Sequence, residues 1–172
     1  MSNDDQRITS GDDIFGLAPE FLRPLAAMMP DIGLRTGYIP LGDPDDPATP
    51  GVVMLHMGPG VVLDRHAHSC ERFETIVQGS LYVGDKVLHP GDVMRAAPYE
   101  FYGPHTAGPE GVLTCEVFSS FAAAYRVVYE MPDGTTKVFD WVAGDVPPED
   151  VRELASRNAP VVTLDLESKV VN

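Results

Sequence analysis

The sequence has few cysteines, few basic residues and no long apolar run. Its two cysteines show no CxxC spacing, which argues against a disulfide framework. Lysine and arginine number 12 against 26 aspartates and glutamates, and the formal net charge of −14 argues against nucleic acid or an anionic membrane surface as a partner. No apolar stretch approaches the ~20 residues of a membrane helix, and residues 1–13 lack the hydrophobic segment of a signal peptide. We therefore expect a cytoplasmic protein.

Glycine and proline are plentiful instead, with 16 of each spread along the chain. Residues 52–118 contain one short strand pattern after another, separated by turn signals such as Gly84-Asp85. Short strands at this spacing predict an all-β sandwich or barrel.

The chain is long enough for one domain with a sizeable core. We expect a disordered or extended tail over residues 1–17 and a single domain over residues 18–172. The strand patterns place the barrel core at about residues 50–120, and residues 121–172 form a C-terminal extension.

The regions outside the core carry their own signals. Residues 18–30 predict a short helix limited by prolines, and Pro132-Asp133-Gly134 predicts a hairpin turn. Residues 147–157 predict a second helix, with Asp145 as a candidate cap. Residues 161–171 predict an extended segment that covers an edge strand or pairs across a homodimer, which we expect to be the oligomeric state.

Two histidines one residue apart are the strongest functional signal. His66 and His68 fall in a predicted strand over residues 61–68, where alternate side chains share a face. Two imidazoles on one face are half of a metal site, and they are costly to bury unless they are bonded to something.

The spacing around this pair resembles the cupin superfamily. Gly60, His66, His68 and Gly79 fall in register with the family's first motif, and Pro90-Gly91-Asp92 follows a hairpin as in cupins. The resemblance implies an all-β double-stranded β-helix, a jelly-roll barrel, here with an N-terminal extension and a C-terminal hairpin plus short helix. It also implies a divalent transition metal, Fe2+ first with Zn2+, Mn2+ or Ni2+ as alternatives, and a small-molecule substrate.

Two of the family's four usual ligands are replaced in register. The expected glutamate is Arg72 and the expected third histidine is Tyr102. The resemblance therefore implies His66 and His68 as ligands, and leaves the rest of the metal site to unusual residues. The candidates are Glu74, which shares the inward parity, Tyr102 as a phenolate, and His105 after a bulge at Gly103-Pro104.

Three interpretations stay open at this point. The first is a metal-dependent enzyme, a dioxygenase or lyase, and the second is a metal-free isomerase, epimerase or cyclase with a histidine and a tyrosine as base and acid. The third is a non-catalytic barrel. In the enzymes, Arg72, Glu74 and Tyr102 are the catalytic candidates. Arg72 orients a substrate anion or forms a salt bridge to Glu74 or Glu71, and His105 is a ligand or a surface turn residue.

Within the superfamily, two groups are similar. The hairpin at Pro132-Asp133-Gly134 resembles small cupins similar to dihydroxyacetophenone dioxygenase. The segment Tyr102-Gly103-Pro104-His105 resembles cupins similar to the C-terminal domain of ChrR-type anti-sigma factors. Residues 1–50 contain neither histidine nor cysteine, so a sigma-factor inhibitor is not expected.

Overall fold

Short antiparallel strands form most of the regular structure. The computed structural model describes residues 11–46 and 48–164. The strands are β1 (Leu34–Pro40), β2 (Gly51–Met57), β3 (Val62–Leu63), β4 (Ala67–His68), β5 (Arg72–Val83), β6 (Lys86–Leu88), β7 (Val93–Ala96), β8 (His105–Phe118), β9 (Arg126–Glu130) and β10 (Thr136–Asp140), and the α-helices are α1 (Arg23–Met28) and α2 (Glu149–Ala155). The all-β prediction is confirmed.

The larger sheet is built on its two longest strands. Its order is β1-β2-β8-β5-β6, with β3 paired to β8 and β7 paired to β5. Alternation along β2 buries Val53, Leu55 and Met57 and leaves the residues between them partly exposed. One face of this sheet therefore lines the core and presents inward side chains from β5 and β8 to the same interior.

A second sheet joins the C-terminal extension to the histidine segment. Its order is β10-β9-β4, and in it His68 pairs with Val127 of β9. The predicted hairpin therefore exists as β9 and β10, and it lies against the strand that carries His68. Helix α2 follows, and Val151 on its inner face is fully buried.

The N-terminal prediction is wrong for residues 11–16. These residues form a 3-10 helix, Gly11–Gly16, which packs against β1. The contact is at Gly37 of β1, where a side chain would collide with the Ile14 carbonyl. Residues 1–10 lie outside the described residues. The predicted helix over residues 18–30 is split into 3-10 turns on either side of α1, because Pro24 and Pro30 each remove a backbone donor.

The predicted strand over residues 61–68 is also wrong as a continuous element. It is broken at Asp64 and Arg65 into β3, which pairs with β8, and β4, which pairs with β9. Arg65 N instead donates to the carbonyl of Ala155 at 2.8 Å. The C-terminal helix thus diverts the chain between the two strands.

Several smaller predictions are corrected at element ends. Helix α2 follows Pro148, has no side-chain cap from the described residues, and does not include Asp145. Residues 161–164 form no strand, and the remainder of the predicted segment up to residue 171 lies outside the described residues.

In the described part of the chain no helix is long and apolar enough to cross a membrane. Cys70 and Cys115 are both free thiols.

Candidate active site

His66 and His68 converge although they belong to different strand pairings. His66 forms an isolated bridge with Tyr102, in which each backbone N–H donates to the other residue's carbonyl at 3.1 and 3.0 Å. His68 lies on β4. Both side chains are buried, and their ring centroids lie 5.1 Å apart. The expected common face is therefore achieved by two separate backbone pairings.

Backbone carbonyls fix the tautomer of both imidazoles. His66 Nδ1 lies 2.6 Å from the carbonyl oxygen of Asp64, and His68 Nδ1 lies 2.6 Å from that of Ala123. A carbonyl only accepts, so each Nδ1 carries the proton and each Nε2 keeps a lone pair. Burial lowers the pKa of His66 to about 3 and holds the pKa of His68 well below its usual value. Both rings are neutral acceptors at neutral pH.

Arg72 is buried beside this pair and contacts two glutamates. Its Nε donates to Glu116 Oε2 at 2.6 Å, and its Nη2 lies 2.7 Å from Glu74 Oε2. The second contact is an ion pair without hydrogen-bond alignment, so Nη2 and that oxygen lack an aligned partner in the part of the chain that the structure describes. Burial alone would lower the pKa of Arg72, but Glu116, Tyr102 and Glu74 raise it, and the guanidinium stays charged.

The two glutamates face each other across neighbouring strands. Glu74 on β5 is directly opposite Glu116 on β8 in the antiparallel register, and both are buried. Directly opposite residues project to the same face, so Arg72 lies against both carboxylates at once. Burial raises the pKa of Glu116 to about 7, against the lowering effect of Arg72 and with a further increase from Glu74.

Tyr102 and His105 form the back of this cluster. The guanidinium carbon of Arg72 lies 4.4 Å from the centre of the Tyr102 ring, and the Tyr102 and His105 rings are stacked with centroids 5.7 Å apart. The Tyr102 hydroxyl and His105 Nε2 are buried and have no hydrogen-bond partner among the described residues. Burial, the largest effect, raises the pKa of Tyr102 well above its usual value, so the phenol is neutral.

The expectation of His105 as a surface turn residue is wrong. β8 begins at His105 and pairs there with Leu63 on one side and Val83 on the other. This double pairing leaves the side chain only 1% exposed. Burial lowers the pKa of His105 to about 4, and the nearby Arg72 charge adds to the effect.

A cavity of about 150 Å3 opens on one side of the cluster. Its polar lining includes His66, His68, Glu116, Asp64 and Arg152, whereas Arg72 is not among the lining residues. The walls are mostly apolar side chains from the N-terminal helical segment, from β1 and β2, and from the C-terminal hairpin. The volume is below the about 300–1,000 Å3 of pockets for drug-sized ligands, so a smaller ligand is expected.

Comparison with known proteins finds similar architectures among solved structures. A scan against family models finds no match, and a search of curated proteins finds none. Among solved structures, an acetylacetone dioxygenase from Acinetobacter johnsonii aligns with a TM-score of 0.54 and 9% identity, over 91% of this chain and 96% of that chain. An RmlC-like cupin from Ralstonia eutropha aligns with a TM-score of 0.46 and 18% identity, over 66% and 71%. The chain has the cupin fold. The resemblance seen in the sequence is thereby confirmed for the fold, while its chemistry depends on the side chains at the site.

The residues at this site do not fit the metal ion that the fold implies. Among residues 11–46 and 48–164, no group of three or more His, Cys, Asp or Glu side chains is arranged to hold a metal. His66 and His68 have the tautomer of metal ligands, with Nδ1 bound to a carbonyl and Nε2 available. Glu74 is instead paired with Arg72, and the neutral Tyr102 phenol lies under the same guanidinium. A fixed cation therefore stands beside the two imidazoles.

The sequence prediction missed Glu116 as a site residue. The signal that could have identified it is the alternation of side chains along β8. Thr114, Glu116 and Phe118 are alternate residues, share one face of the strand and are all buried. The predicted salt bridge between Arg72 and Glu74 is confirmed, with Glu116 as a second partner. The catalytic and ligand roles given to the individual residues stay predictions.

Proposed function

We propose that this cupin catalyses proton transfer on a small hydroxycarbonyl compound, as an isomerase or epimerase does. The supporting observation is that His66, His68 and Glu116 all line one mostly apolar cavity. These three side chains offer acceptors, because both Nε2 atoms carry lone pairs and a carboxylate accepts. A ligand with hydroxyl groups supplies the donors that these atoms require.

Glu116 is the group that moves the proton in this proposal. Its Oε2 accepts from Arg72 Nε, which leaves Oε1 to exchange a proton with the ligand. A carboxyl with a pKa of about 7 is suited to act as base and acid in turn near neutral pH. The carboxylate removes a proton from the hydroxyl-bearing carbon beside the carbonyl, which gives an enediolate and a protonated Glu116. The Glu116 carboxyl returns the proton to the same carbon, or to the neighbouring carbon once the hydroxyl proton has moved to the other oxygen of the enediolate.

The two imidazoles act as orienting groups rather than as bases. With its pKa lowered to about 3, His66 is too weak a base to hold a proton at neutral pH. Its Nε2, like that of His68, accepts a hydrogen bond from a substrate hydroxyl and fixes the carbon toward Glu116. The apolar walls limit the water that competes for these acceptors.

Exchange of carbon-bound hydrogen with D2O tests this proposal. We expect the protein to accelerate exchange at the carbon next to the carbonyl in hydroxyacetone, 3-hydroxybutan-2-one or glyceraldehyde, followed by proton NMR. Glu116→Gln keeps an oxygen for Arg72 but removes the exchangeable carboxyl, and it should slow exchange by about 100-fold or more. The control is His89→Gln, a substitution in an exposed turn. Exchange that is unaffected by Glu116→Gln, or absent with all three probes, would contradict the proposal.

A second candidate is metal-dependent oxygenation of a small carbonyl compound. The tautomer of His66 and His68 favours it, since both Nε2 atoms are free to coordinate. Acetylacetone dioxygenase, the neighbour that aligns over nearly the whole chain, has a reaction of this class in its name.

Metal content separates the two candidates. We expect protein purified without an affinity tag to contain less than about a tenth of an equivalent of any transition metal, because the described residues assemble only two ligands, His66 and His68. Elemental analysis by mass spectrometry measures this directly. Close to one equivalent of iron that is lost in His66→Ala would support the second candidate, particularly if substrate-dependent oxygen uptake is lost with it.

A further inference from the structure

We propose that the cavity binds the carboxylate of its ligand through Arg152, so that the substrate is a small hydroxycarbonyl acid. This substrate class rests on the proposed function for the hydroxycarbonyl group and on the cavity lining for the carboxylate. Arg152 is the one lysine or arginine among the described residues that line the cavity. The two histidines that line it are neutral, so the guanidinium carries the positive charge of this lining.

Asp64 holds Arg152 at the cavity and links it to the histidine pair. Arg152 Nε donates to Asp64 Oδ2 at 3.4 Å, and the Asp64 carbonyl accepts from His66 Nδ1 at 2.6 Å. Arg65 N also donates to the carbonyl of Ala155, the last residue of α2. The segment that orients His66 therefore also fixes the helix that carries Arg152.

The contact with Asp64 fixes the guanidinium and still lets it bind a ligand. It uses Nε, whereas the fork of the two terminal nitrogens is a part of arginine that binds a carboxylate with two parallel hydrogen bonds. The Arg152 side chain is 53% exposed and that of Asp64 is 14% exposed. Burial raises the pKa of Asp64 and Arg152 lowers it. One guanidinium can thus be held by Asp64 and bind a second carboxylate.

Tyr129 provides a second donor beside Arg152. It lines the cavity and is buried, and its ring centroid lies 6.2 Å from that of His66. Burial, the largest effect, and the Asp64 charge raise the pKa of Tyr129, while Arg152 lowers it. The phenol therefore stays protonated and responds to both charges. Guanidinium and phenol groups donate, as a carboxylate requires, and the imidazoles of His66 and His68 accept from the ligand hydroxyl.

The carboxyl group of Glu116 does not cancel this preference. Glu116 lines the same cavity, and its Oε2 accepts from Arg72 Nε at 2.6 Å, which offsets its charge. Burial raises the pKa of Glu116 to about 7, so the group is mostly protonated at pH 6.5. At that pH, the repulsion between Glu116 and a ligand carboxylate is small.

Binding of lactate and of propane-1,2-diol at pH 6.5 tests the proposal. The two probes share a three-carbon skeleton with a hydroxyl on the second carbon, and lactate has a carboxylate where the diol has a CH2OH group. Neither has a ketone or an aldehyde, so binding is measured without the proton transfer. By isothermal titration calorimetry, we expect the wild type to bind one enantiomer of lactate at least about tenfold more tightly than the diol.

Three variants test the assignment of this preference to Arg152. Arg152→Gln should weaken lactate binding by about tenfold or more and leave diol binding unchanged, and Tyr129→Phe should weaken lactate binding by about threefold. Asp64→Asn keeps an oxygen for Arg152 but removes the competing negative charge, so lactate should bind about threefold more tightly. Arg157→Gln removes an exposed arginine outside the cavity lining, and this control should bind lactate as the wild type does.

Three outcomes would overturn the proposal. The first is wild-type binding of lactate that is no tighter than that of the diol. The second is lactate binding that Arg152→Gln leaves unchanged, and the third is an equal loss in Arg152→Gln and Arg157→Gln, because long-range charge alone would then explain it. If Arg152→Gln does not fold, the opposite shifts expected for Tyr129→Phe and Asp64→Asn decide the matter, and the absence of either shift contradicts the proposal.

The same measurements separate this proposal from the proton-transfer reaction. Lactate binding that depends on Arg152, in a protein that exchanges no carbon-bound hydrogen, would support the carboxylate site and contradict the reaction alone. Hydrogen exchange that depends on Glu116, with no preference for lactate over the diol, would contradict the carboxylate site alone.

Discussion

Arg72→Met is expected to destabilise the metal-free protein by about 3–5 kcal/mol. The substitution keeps most of the side-chain volume, so cavity formation contributes little. The cost arises because Glu74 and Glu116 remain buried, face each other across β5 and β8, and lose their common counter-charge. The free energy of unfolding from a urea titration at neutral pH measures the effect, provided that the m-value is unchanged.

Two further variants separate charge from packing. Arg72→Met/Glu74→Gln/Glu116→Gln removes all three charges together, and it should recover most of the loss, because a buried ion cluster is often replaceable by neutral residues. Arg95→Met removes a surface ion pair with Glu71 and should leave the unfolding midpoint nearly unchanged. If Arg72→Met is as stable as the wild-type protein, or if the triple variant is no better than the single one, the buried-charge account is wrong.

The second large effect is a loss of stability as the pH falls below 6.5. Burial lowers the pKa of His66 to about 3 and that of His105 to about 4, and the pKa of His68 is also well below its usual value. In the unfolded chain these histidines take up protons near pH 6.5. The unfolded state therefore binds more protons between pH 6.5 and 4, and stability decreases as the pH falls through this range.

Glu116 partly offsets this loss of stability, because it binds a proton more readily in the folded state over part of this pH range. Its pKa is raised to about 7 in the folded protein, so the folded state holds one extra proton between roughly pH 4.5 and 7. Burial also raises the pKa of Asp64, which acts in the same sense. The net difference is between one and two protons, and we expect a slope of roughly 2 kcal/mol per pH unit below pH 6.

Urea unfolding at several pH values between 4.5 and 7.5 measures this slope. Stability should rise with pH up to about pH 7.5 and fall on acidification. His105→Asn removes one of the buried bases. If the variant folds, the difference in bound protons between the unfolded and folded states should decrease by about one, and the slope should decrease accordingly. His89→Asn, a substitution in an exposed turn, is the matched control variant. Stability that is flat or increases from pH 6 to pH 4.5 would show that the three histidines are not buried as neutral groups.

The fold could be predicted from local signals. Turn glycines, alternating strands and the spacing of Gly60, His66, His68 and Gly79 are all properties of short segments, and the comparisons confirm the fold that they indicate. Gly79 shows why such spacing carries information. Its φ is +78°, and a Cβ there would collide with the Gly111 carbonyl of β8, so the position requires glycine.

The site could be predicted only in part, because it depends on pairings between distant strands. The inward parity of Arg72 and Glu74 could be predicted from their own strand. The role of Glu116 depends on the register that places it opposite Glu74. The break between β3 and β4 depends on contacts with β9 and α2, which follow the break by about 60 residues or more. No local pattern contains that information.

The homodimer and the substrate stay predictions. The measurement that tests the central claim most directly is hydrogen–deuterium exchange of a small hydroxyketone by protein that has been dialysed against a chelator. We predict that exchange continues unchanged after chelation and is lost in Glu116→Gln. Exchange that stops on chelation, returns with added Fe2+ or Zn2+, and persists in Glu116→Gln would contradict the account and assign the chemistry to a metal held by His66 and His68.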